Sequence, residues 1–108
     1  MNAKNKKGKT PEAPVETVVV MRLYIADNAP NSARAVANLE AICKVHLGIK
    51  FRLEVIDVLE HPQRALADGI VVTPSLTKVS PSPVARIVGT LSDTRSVLHA
   101  LGIKESIQ

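Results

Sequence analysis

Apolar side chains fill both parities between Thr17 and Ala26: Val18, Val19, Val20, Leu23, Tyr24 and Ile25. A strand that is apolar on both faces belongs in the middle of a sheet covered by helices on both sides. Asp27-Asn28-Ala29-Pro30-Asn31-Ser32 follows, a turn leading into helix N-cap candidates. Val36, Leu39, Ile42, Cys43 and Leu47 then recur at three- and four-residue spacing, which predicts an amphipathic helix closed by Gly48. Residues 51–57, FRLEVID, alternate as a second strand. Strand, helix and strand in this order predict a right-handed βαβ unit with parallel strands.

The second half is patterned more weakly. His61 to Gly69 carries Pro62 near a helix start and Gly69 past its end, a short second helix. Ile70-Val71-Val72 leads into Thr73-Pro74, and Ser75 to Val79 reads as a strand. Ser80-Pro81-Ser82-Pro83 interrupts the ladder. Val84 to Val88 is a further short strand, closed by Gly89. Ser92-Asp93 caps a last helix that buries Val97, Leu98 and Leu101 and ends at Gly102. The predicted order, βαβαββα, is that of a thioredoxin-like α/β fold. Residues 60–101 hold short elements and several prolines, so local signals specify them less firmly than the first half.

Composition narrows the function classes. The chain has 108 residues, enough for one core. Of its net charge of +4, +3 falls in residues 1–14, where Lys4, Lys6, Lys7 and Lys9 face only Glu12. Residues 1–16 thus predict a disordered basic arm, and 17–108 a nearly neutral domain. Tyr24 and Phe51 are its two aromatic residues, which leaves base-stacking modes of nucleic-acid binding little to work with. No apolar run is long enough to span a bilayer and no h-region follows the N-terminal lysines, so a cytoplasmic location is expected, with no membrane partner.

The chemistry is equally restricted. The loop where a thioredoxin carries Cys-x-x-Cys reads Asn28-Ala29-Pro30-Asn31 here. Dithiol exchange needs two sulfurs, and this chain has one, Cys43, on the apolar side of the first helix. Pro74, after Thr73 and before the third strand, stands at the cis-proline position of such folds. His46, His61 and His99 lack metal-ligand spacing, and no phosphate-cradling glycine motif occurs. Asp27, Asp57 and Asp68 sit at loop edges, suited to turn and capping duty. No catalytic residue, metal or cofactor is expected, which favours an interaction module.

Several segments together resemble the KaiB family: RLYIADNAPNSARA over 22–35, VIDVL over 55–59 with Pro62-Gln63, and TPSL over 73–76 with Lys78, Pro81, Pro83, Arg86-Ile-Val-Gly89 and Leu91-Ser92. The resemblance runs from about Val18 to Leu101. It implies a non-enzymatic clock or timing protein that binds the N-terminal ATPase ring of KaiC, a RecA-type hexamer, and regulates its phosphorylation cycle. It also implies a metamorphic chain, in which a βαββααβ ground state, often tetrameric, exchanges with a thioredoxin-like state that binds KaiC. Matching basic positions make Arg34, Lys78 and Arg86 the implied partner contacts.

The chain departs from the cyanobacterial pattern. Pro81-Ser82-Pro83 replaces three consecutive prolines, Ala85 a basic residue, and Ala100 and Gly102 a glycine and an aspartate. Ala is better than Gly inside a helix by about 1 kcal/mol. Pro74, Pro81, Pro83, Ala100 and Gly102 are therefore the implied fold-determining positions, and the thioredoxin-like state is the favoured one. These differences suggest a non-cyanobacterial member in which KaiA is missing, with homodimers or tetramers open to it. The competing reading is a thioredoxin-fold adaptor for a sensor histidine kinase or stress-response partner, without KaiC binding.

Overall fold

A computed structural model describes residues 18–27, 29–46 and 50–103. The arm predicted over 1–16, Asn28 in the loop, and Leu47 and Gly48 at the helix end lie outside the described residues. The elements are β1 (Val18–Ile25), α1 (Pro30–His46), β2 (Lys50–Asp57), α2 (Pro62–Ala67), β3 (Ser75–Ser80), β4 (Ala85–Val88) and α3 (Thr94–Leu101). This is the predicted βαβαββα order, not the alternative βαββααβ one.

The sheet order is β2-β1-β3-β4. β1 and β2 run parallel from Val18 opposite Lys50 to Ile25 opposite Asp57. β3 lies antiparallel on the other side of β1, with Leu23 opposite Leu76, and β4 closes a hairpin on β3. Because strand side chains alternate, this register sorts residues onto two unlike faces. Val19, Met21 and Leu23 of β1 and Leu76 of β3 meet Leu39, Ile42 and Cys43 of α1 and Val97, Leu98 and Leu101 of α3 in the main core. The opposite face holds Arg22, Tyr24, Glu54, Ile56, Ser75, Thr77 and Arg86, and among the described residues Tyr24, Ile56 and Ala65 form a small second core there, with Val58 and Ile70 packed against it. The two-sided apolar pattern of β1 thus places it centrally, but its second face is served by a single six-residue helix.

Helix ends follow local chemistry. α1 starts at Pro30, whose fixed φ and missing N–H suit a first helical position, so Asn31 and Ser32 lie inside the helix. The buried Ser32 hydroxyl instead accepts from the amide of Ala26 at 3.1 Å and ties the helix start to the end of β1. Asp93 caps α3, accepting from the amide of Ser96. At its other end Gly102 takes φ 75°, and the amides of Gly102 and Ile103 donate to the carbonyls of His99 and Leu98. That is a complete Schellman closure, which favours glycine at the left-handed position.

Candidate interaction surface

The loop between β1 and α1, where thiol chemistry would sit in a thioredoxin, carries none here. Cys43 is buried in the main core, where burial, with a smaller push from Glu40, raises its thiol to about 11. The Thr73–Pro74 bond is cis, as are Ser80–Pro81 and Ser82–Pro83. Pro74 is buried, and its carbonyl accepts from the amide of Gly89, which locks the start of β3 to the end of β4. Pro81 and Pro83 form the exposed turn between those strands.

The three basic residues read as partner contacts occupy three unlike environments. Arg34 is exposed on α1. Lys78 is not a surface charge, being only 2% exposed. Its place opposite Met21 turns it to the face covered by α1 and α3, with its Nζ beside Gly102. That is the negative end of α3, where an ammonium is favoured. Arg86 is exposed, but its guanidinium is engaged within the chain: it donates to the backbone carbonyls of Asp68 and Gly69, the latter at 3.3 Å. Of the other two positions, Ala100 lies inside α3 and Gly102 closes it.

A polar cluster that the sequence pattern does not reveal surrounds Asp68, the C-cap residue of α2. Its Oδ2 accepts from the phenol of the fully buried Tyr24 and from Arg22 Nη1 at 2.9 Å. The Tyr24 bond, aided by Arg22, holds this carboxyl below the usual aspartate range. Burial, followed by the Asp68 hydrogen bond, pushes the Tyr24 phenol up. Arg64 of α2 grips Glu54 of β2 through both carboxylate oxygens, at 2.6 and 2.8 Å, and lowers its pKa. The only sequence hint was Asp68 at a predicted helix end. Asp57 does perform the turn duty expected of it, accepting from the amide of Leu59 at 2.8 Å.

Apolar surface accompanies these charges. Edge strand β2 and the outer face of α1 enclose a groove of about 580 Å³ lined by Ala37, Ala41, Phe51 and Leu53, with Glu40 and Lys44 at its rim. Leu66, Val71 and Val72 are exposed around the end of α2. Among the described residues no three His, Cys, Asp or Glu side chains converge as a metal site, and no helix is long and apolar enough to cross a membrane. The arrangement suits recognition by surface contact.

Comparison with known proteins identifies the lineage. The KaiB domain family matches residues 22–103. The chain belongs to the KaiB family. It is 48% identical to the circadian clock protein KaiB3 of Synechocystis sp. over 85 residues, covering 79% of this chain and 83% of that one. It is 43% identical to the circadian clock oscillator protein KaiB of Trichodesmium erythraeum, over 84% of this chain and 88% of that one. Among solved structures, the N-terminal domain of Synechococcus elongatus SasA superposes with TM-score 0.68 at 26% identity, covering 94% of this chain and 98% of that domain. A thioredoxin from Halobacterium salinarum superposes with TM-score 0.63 at 21% identity, over 83% of this chain and 78% of that one, which is a likeness of fold alone. KaiB sequence and thioredoxin-like architecture therefore coincide in this chain, a relative of clock proteins.

Proposed function

We propose that this KaiB-family chain is a non-enzymatic, cytoplasmic timing protein that binds the N-terminal ATPase ring of a KaiC-type hexamer and regulates its phosphorylation cycle. The observation that carries this reading is the coincidence of a KaiB sequence with the thioredoxin-like βαβαββα order, the state in which family members are expected to engage KaiC. In this reading the chain is metamorphic, KaiA is missing from its system, and Arg34 is the direct basic contact. Lys78 and Arg86 then act through the chain itself, the first beneath α3 and the second on α2. Size-exclusion chromatography with a KaiC-type hexamer and ATP tests it: co-elution that Arg34→Glu weakens supports the assignment, and separate elution of the native chain refutes it.

A second reading, on the thioredoxin-like fold that this chain shares with the SasA N-terminal domain, is an adaptor for a sensor histidine kinase or stress-response partner without KaiC binding. Capture of a kinase in the same experiment, with no KaiC co-elution, would select it.

A further inference from the structure

α2 is too small to hold itself on the sheet. It spans six residues and buries only Ala65, while Leu66 points outward at 77% exposure. Beneath it the sheet face is largely polar: Thr77, opposite both Arg22 and Arg86, is buried with a hydroxyl that has no hydrogen-bond partner among the described residues. Among the described residues, closing it buries three, Tyr24, Ile56 and Ala65, with partial cover from Val58 and Ile70, against twelve in the main core, so its apolar hold is much the weaker of the two. Polar contacts supply the rest: Arg64 grips Glu54 of β2 at the exposed edge, and the others converge at the C-terminal end of the helix. The Asp68 carboxylate takes Tyr24 and Arg22 of β1, and the carbonyls of Asp68 and Gly69 take Arg86 of β4.

We infer that Asp68 is a latch, and that residues 58–72 form a lid over Tyr24 and Ile56 that opens independently of the main core. Charge-assisted hydrogen bonds to a partly buried carboxylate are among the stronger polar contacts. Segments with few buried apolar contacts open below the free energy of global unfolding. Arg86 contributes from a different strand, so the latch joins β1 and β4, the two strands that flank β3, to one helix end. Release would uncover the Tyr24–Ile56 patch.

Hydrogen exchange of the full chain, read by mass spectrometry, tests this. Asp68→Asn keeps the shape and removes the charge; it should speed exchange in peptides covering 58–72 by about tenfold or more while those covering α1 and α3 stay as in the native chain. Arg86→Gln should produce the same selective change to a smaller degree. Unchanged exchange in 58–72, or equal acceleration in α1 and α3, overturns the inference for either variant. Loss of the whole fold in Asp68→Asn also overturns it, because the latch is then part of the global core.

Discussion

The Nζ of Lys78 lies 3.6 Å from the point where a β-carbon on Gly102 would stand. This pairing joins the middle of β3 to the last turn of α3, and it changes what a substitution at either residue should do. A surface lysine tolerates charge reversal within about 0.5 kcal/mol. Lys78→Glu instead places a buried carboxylate at the negative end of a helix and should cost about 3 kcal/mol or more. Lys78→Met, close in shape, should cost about 1 kcal/mol or less, because removing a buried charge is often neutral. Urea denaturation distinguishes the two, and equal effects would return Lys78 to the surface.

Gly102→Ala tests the same corner from the other side. Among the described residues the new β-carbon would meet Lys78 Nζ at an ordinary contact distance, so the cost comes from φ 75° and should be about 1–2 kcal/mol. Thermal unfolding reads it directly.

Asp93→Ala removes the carboxylate that accepts from the Ser96 amide and, at 2.8 Å, from its hydroxyl. The loss should be about 1 kcal/mol, the usual worth of an N-cap. Reduced helical circular dichroism and earlier urea unfolding are the expected signs, with Asp93→Asn retaining most of the native stability.

Cys43 should be inert. With its thiol raised to about 11 and its side chain in the main core, Ellman's reagent at pH 8 should label the native chain only at the rate of unfolding. Labelling within seconds in the absence of denaturant would mean that the core around α1 is open.

The Asp68–Tyr24 pair gives the lid a defined pH window. Asp68 has a lowered folded pKa, so its stabilisation is present above the unfolded value of about 3.9 and is lost as pH falls through the folded one. Tyr24 has a raised folded pKa, so its share is present below about 10 and is lost as pH rises through the folded value. Exchange protection of 58–72, corrected for intrinsic chemical exchange, should be flat from about pH 5 to 9 and fall outside those limits. A step near neutrality would assign the lid to a different group.

Much of this architecture is written in the sequence, and what is hidden has a physical cause. α1 and β2 announce themselves because their apolar positions repeat with the period of their own backbone, as Leu39, Ile42 and Cys43 do, and β1 because its apolar run fills both parities. α3 is legible from Asp93 and Gly102, whose capping roles are local. The environments of Lys78 and Arg86 are not legible, because a lysine or arginine looks the same in sequence whether its stem lies under a helix or its head reaches a carbonyl. Lys78 is buried only because β3 pairs with β1 in a register that turns it inward. Asp68 and Tyr24 are 44 residues apart, and their contact exists only once β1 and α2 have been brought together.

The reading of this KaiB-family chain as an interaction protein rests on its thioredoxin-like order in the absence of a partner. Backbone NMR chemical shifts of the free full-length chain test that directly at residues 94–101. Helical secondary shifts across Thr94–Leu101, ending at Gly102, are the predicted result; extended-strand shifts over the same residues would contradict it.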